Sequence, residues 1–180
     1  MTTPTPITVE LRPYSPGWAD EARAETMRLS GALEGTILVV HHIGSTAIPP
    51  ICAKPIIDLM PIVGSVSDVD EQEAVFRLLG YRCWGEYGIA GRRYLTLDDP
   101  DTGKRRFQLH CYEPGSEEID RHLAFRDYLR ANPRKAQEYE NEKRRCQQLN
   151  PHNSHAYADA KSEWIQDQLP EALASFCSSR

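Results

Sequence analysis

Two short stretches of this chain hold residues of the right type and spacing for chemistry on phosphate. Gly44-Ser45 closes the apolar run Ile37 to Ile43. A glycine there lets the main chain approach a ligand, while the following amides and the serine hydroxyl donate to phosphate oxygens. Fourteen residues on, Asp58 stands alone inside a second apolar run, Ile56 to Val63. If the two runs are neighbouring strands, that carboxylate faces the turn and can carry a divalent cation bridging to the same phosphates. A plain turn and a hydrogen-bonded aspartate explain the spacing about equally well.

The elements that must position these residues follow from patterning. The continuous β-branched runs read as strands, the first covered on both faces. Pro49, Pro50 and Pro55 forbid a long helix between them. Residues 1 to 16 read as an extended lead-in with Ile7, Val9 and Leu11 alternating like an edge strand, followed by a helix from Trp18 to about Leu33. Ser67-Asp68 is placed to cap a helix over Val69 to Leu79. Tyr81 to Trp84, Arg92 to Leu97 and Arg105 to Tyr112 read as strands. Beyond Pro114 the pattern is helical alone, at about 117 to 131, 134 to 148 and 154 to 173, with Asn132-Pro133 and Asn150-Pro151 as the breaks. Strands first and helices last predict a mixed α/β sheet with a helical cap.

Size and charge narrow the function. A chain of 180 residues is most simply one domain, with a core over about 1–113 and a helical part over about 114–175. Its 26 acidic against 21 basic residues give a net charge of −5, which argues against a dedicated duplex-binding surface. A small anionic ligand is still compatible with that balance, because local charge decides. Five cysteines about thirty residues apart form neither a zinc knuckle nor a disulfide framework. With no leader-like start and no apolar run of membrane length, a cytoplasmic location is expected.

Other polar residues have two readings each. His41 and His42 must face opposite ways at the end of their strand, and His42, two residues before Gly44, is the one expected to approach the site. Arg92, Arg93 and Lys104 to Arg106 bracket a hairpin, able to clamp an anion or simply to sit in water, the latter for Lys104 and Arg105. Tyr139/Lys143 and Tyr157/Lys161 repeat Y-x-x-x-K, which a lysine stem lying on a ring at the core margin explains cheaply. In FRDYL, an ion pair accounts for Arg126 and Asp127; as ligand contacts Arg126 ranks first.

The strings HIGSTAIPPICAKPIID, GRRYLTL, QLHCYEPGS, HLAFRDYLRANP and AYADAKSEWI resemble the GrpB family, from about Leu11 to Leu169. The resemblance implies a nucleotidyltransferase-like fold: a mixed sheet flanked by helices with a C-terminal helical cap, binding a nucleoside triphosphate with Mg2+ or Mn2+. By position, Gly44, Ser45 and Thr46 match the phosphate-binding motif, Lys54 lies in the same string, and Asp58 matches the first acidic position. Arg93 falls in GRRYL, and Lys161 in the last motif. The second acid expected two residues after Asp58 is Met60, which cannot ligate magnesium, and the counterpart on a later strand is His110, which shares a face with Gln108. Histidine suits zinc or acid-base work better than magnesium. Three functions follow: transfer of a nucleotidyl group to a small molecule or protein, a nucleotide- or anion-binding module without turnover, or a metal-assisted reaction of another class using His110.

Overall fold

A computed structural model describes residues 4–178; the first three residues of the lead-in lie outside that range. The chain forms two compact units, one from Pro16–Gly44 and Ile56–Ile119, the other from Thr5–Ser15, Ser45–Pro55 and the chain from Asp120 onward.

The first unit holds helix α1 (Gly17–Ala32) and strands β1 (Ile37–Ile43), β2 (Ile57–Val63), β3 (Tyr81–Cys83), β4 (Arg93–Asp98) and β5 (Arg105–Cys111). The strands form one mixed sheet in the order β1-β2-β5-β4-β3. β2 and β5 run parallel and the other neighbours antiparallel. Central β2 is buried nearly throughout, as its unbroken apolar run requires. β1 departs from expectation: it ends the sheet, so Leu38 and Val39 are 60% and 45% exposed rather than covered.

Register assigns the faces. Ile43 lies opposite Asp58, Asp58 beside Gln108, and Gln108 opposite Thr96. Two residues along, His41 faces Met60 and Tyr94 faces His110. All share one face, because paired residues point the same way and the period is two. The other face carries Leu59, Leu95 and Leu109, each fully buried. On that side Tyr81 meets Phe76 edge to face and donates its hydroxyl to Glu25 of α1 at 2.6 Å. Helices thus cover the apolar face and leave the polar face to the site.

One expected helix is two, α2 (Val66–Glu71) and α3 (Glu73–Leu78), divided at Gln72. The start lies earlier than the Ser67-Asp68 cap, because Ser65 and Asp68 form a reciprocal capping box. Glu113 adds an acceptor for the Val66 amide at 2.8 Å and the Ser65 hydroxyl at 3.0 Å.

The second unit is built on α4 (Glu117–Ala131), α5 (Pro133–Leu149) and α6 (Ser154–Ser178). Pro133 opens α5 and Asn150 ends it, as the Asn-Pro breaks predict. Tyr139 stacks on Trp164 at 5.1 Å with Phe125 edge-on at 5.3 Å, the aromatic centre of this core. The Ile7–Leu11 alternation does not make a strand. Val9 bonds the Pro151 carbonyl and packs on Cys146 and Tyr157, while Arg12 makes a lone bridge with Ala53. All five cysteines are free, and Cys52, Cys111 and Cys146 are buried, matching packed thiols. Among the described residues no helix is long and apolar enough to cross a membrane.

Candidate functional site

The polar face of the first unit brings Asp58 and His110 together: Nε2 of His110 lies 3.6 Å from Oδ1 of Asp58. Both are half-buried, their side chains 26% and 14% exposed. Gly44 completes this cluster from the end of β1. Its φ of +68° is a conformation that favours glycine, and a Cβ placed on it would fall 2.4 Å from Oδ2 of Asp58. The main chain therefore approaches the carboxylate as closely as only glycine permits.

Arg92 stands behind His110. It is 6% exposed, and its guanidinium donates to the carbonyls of Glu86 at 3.1 Å and Tyr87 at 2.5 Å, with Nη1 3.4 Å from Nδ1 of His110. The cation lies 5.8 Å from the Tyr87 ring and 5.0 Å from the Tyr94 ring, and those rings stack on each other. Burial, and then the charge of Asp58, push the Tyr94 hydroxyl well above the usual phenol range. It stays protonated at the margin of the site.

Other expected residues fall elsewhere in the first unit. Arg93 pairs with Cys111 on the helix-covered side of the sheet, and its guanidinium is held by Asp70 through two bonds of 2.7 Å. His42 pairs with Leu59, so it points away from Asp58, and His41 is the histidine on the site's face. Arg105, expected in water, has its side chain 8% exposed and is bound to Asp98.

In the second unit, Ser45 begins a 3-10 turn, Ser45–Ala47, and Thr46 within it is buried. The segment after the turn is held by the helices. Arg130 donates to the Ala47 carbonyl at 2.7 Å, and the Cys52 amide donates to Glu140 at 2.8 Å. Lys143, three residues past Glu140 on α5, donates to the Cys52 carbonyl. Lys54 and Lys161 lie over the Tyr157 ring at 5.4 and 5.3 Å. Lys161 also reaches the Tyr139 hydroxyl at 3.4 Å, and Lys143 lies 5.0 Å from that ring. Three ammonium groups thus surround two phenol rings. Lys143 is 1% exposed, and burial pushes its ammonium down to about 7. Arg126 is taken up by Asp127 at 2.7 and 2.9 Å, the ion-pair reading.

The sequence profile of the GrpB protein family matches residues 8–171. The chain belongs to the GrpB family. A crystal structure of GrpB from Enterococcus faecalis superposes with a TM-score of 0.85 at 38% identity, covering 93% of this chain and 99% of that one. The Bacillus subtilis protein YqkA is 41% identical over 157 residues, covering 87% of this chain, which spans only 45% of YqkA's length. The poly(U) polymerase Cid1, solved with magnesium and 3'-dATP, shares the fold with a TM-score of 0.54 at 14% identity, covering 77% of this chain and 45% of that chain. This GrpB protein has a nucleotidyltransferase-like fold.

The donors of the GrpB polar face fit one cation and not two. Asp58 and His110 are two adjacent side chains of ligand type, and Met60 on the same face is fully buried and carries no oxygen. Among the described residues no three His, Cys, Asp or Glu side chains converge on a point. A single magnesium or manganese ion is commonly held by one carboxylate, with substrate phosphates and water completing its shell.

Sequence reasoning passed over Arg92 and Tyr94 in favour of Arg93. The alternation that separates them is visible in the string, but which member faces His110 depends on the β4–β5 register, set by a turn whose length the string does not decode. The Y-x-x-x-K spacing reads Lys143 as a stem on the Tyr139 ring at the core margin, and the structure keeps it by that ring but buries the ammonium as well.

Proposed function

We propose that this protein binds a nucleoside triphosphate with one divalent cation and transfers its nucleotidyl group to an acceptor on a small molecule or a protein. The observation that supports it is the meeting of Asp58 with His110 on the polar face, with glycine main chain pressed against the carboxylate. Asp58 and His110 would hold the cation, which would offset phosphate charge. Gly44, Ser45 and Thr46 offer main-chain and hydroxyl donors to phosphate oxygens. Arg92 holds the His110 ring in place. The acceptor oxygen or nitrogen bonds to the α-phosphorus and gives up its proton to water, the bond to the bridging oxygen breaks, and pyrophosphate departs with that electron pair. Positioning and charge neutralisation supply most of the rate.

Met60 favours a second reading, a binding module without turnover, since two carboxylates hold a catalytic metal pair where Met60 offers none. One experiment separates them. The protein is incubated with α-labelled triphosphates, magnesium or manganese and a cell extract. Label transfer with pyrophosphate release, abolished in Asp58→Ala, supports transfer. Thermal stabilisation by nucleotide without pyrophosphate supports the module. If neither is seen, both fail, and a reaction of another class at His110 takes their place.

A further inference from the structure

A cavity of about 540 Å³ lies beside the edge strand β3, apart from Asp58 and His110, and is lined from α2, α3, β3 and β4. That volume suits a small organic molecule. Four charged side chains line it, Asp70 and Glu73 against Arg82 and Arg93, so the wall sums to zero. Arg93, 20% exposed, is the more buried member of its pair with Asp70, which is 54% exposed. Trp84 forms a fixed apolar wall: its indole nitrogen donates to the Thr96 hydroxyl at 2.8 Å, and Arg82 lies over the ring at 5.6 Å. Val69 and Leu95, both buried, back the wall. Cys83 lines the cavity as well, but burial and the nearby Glu73 push its thiol up to about 11, so it is protonated and not a nucleophile.

A wall of cancelling charges, in which Asp70 is paired with Arg93 and Glu73 is shared with Arg77 at 2.7 Å, selects its guest. An anion entering alone must displace Asp70 from Arg93 and leave two carboxylates facing it. A cation alone meets the mirror problem with the guanidinium groups. A molecule with both charges exchanges partners without changing the sum: its carboxylate takes the Arg93 fork, and its ammonium takes the freed Asp70 together with Glu73. We propose that this cavity is a binding site for a free zwitterionic α-amino acid whose apolar side chain lies on Trp84. The proposal is independent of the nucleotide reading.

The test uses the full chain, without nucleotide, titrated with L-leucine and L-phenylalanine and followed by tryptophan emission and calorimetry. A saturable response is expected at about millimolar concentration. Leucinamide and N-acetyl-leucine, each lacking one charge, should bind at least about tenfold more weakly, as should the Arg93→Met and Glu73→Gln variants. Glu73 is 41% exposed, so its variant tests the site without disturbing the Asp70–Arg93 pair. Trp84→Phe should remove the emission change and keep the heat. No response to either amino acid at roughly ten times a millimolar dissociation constant overturns the proposal. So does equal binding of the capped forms, or an emission change that survives Trp84→Phe.

Discussion

Gly44 and Asp58 are in a contact that no residue other than glycine could make from position 44 in this geometry. The glycine is in the left-handed region at φ +68°, and an added Cβ would meet Oδ2 of Asp58 at 2.4 Å and Cγ at 3.0 Å. The backbone and the carboxylate constrain each other.

The first prediction concerns that coupling. Gly44→Ala should destabilise the fold by about 1–3 kcal/mol, combining the left-handed cost with displacement of Asp58. In an Asp58→Ala background the carboxylate is gone and part of the penalty should vanish. A double-mutant cycle by denaturant unfolding measures the coupling, and strict additivity would contradict it.

Asp58→Asn keeps the shape of the side chain and removes its charge. Affinity for a manganese–nucleotide complex should fall by about ten- to a hundredfold, with little change in melting temperature. Isothermal titration calorimetry with and without manganese checks this, and the loss should be confined to the manganese arm.

Arg92→Met leaves the carbonyls of Glu86 and Tyr87 without their donor inside the fold. The expected loss is about 2–4 kcal/mol of stability, since buried acceptors are then unpaired. Arg93→Met removes a partly exposed ion pair and should cost the fold less than about 1 kcal/mol. Comparing the two melting temperatures tests which arginine the fold depends on.

Lys143 makes stability depend on pH. Its folded value near 7 lies below the unfolded 10.5, so between them the unfolded chain holds the extra proton. Stability therefore rises with pH across that window and is flat below it. From pH 7 to 8.5 the gain should be about 2 kcal/mol. Above pH 9 the thiols of part-buried Cys83 and buried Cys146, both pushed up to about 11, begin to oppose it. Urea midpoints across that range should climb for the natural chain and stay level for Lys143→Met.

Much of the fold is legible in the string, and the reasons are local. The Asn-Pro pairs at 132–133 and 150–151 carry their own geometry, so α5 and the helices around it appear where they should. The runs at 37–43 and 56–63 read correctly as strands. Their place in the sheet does not follow from composition: β1 is as apolar as β2, yet it is the edge. The same limit governs the site. Asp58 and His110 share a face because β2 and β5 pair in parallel with Asp58 beside Gln108, a long-range register. His42 and His41 are distinguished only by the β1–β2 pairing. The early cap is the local Ser65–Asp68 box, to which Glu113, over forty residues away, adds an acceptor that the string does not announce.

The segment Ser45–Pro55 lies between two strands of the sheet, yet it packs with the C-terminal helices. No one cut can part the two units as folded pieces. A chain stopped before α5 would keep β1 and β2 but strip Cys52 of the Glu140 and Lys143 contacts that hold its peptide. Truncation would thus loosen the loop that follows Gly44 along with the helices it removes.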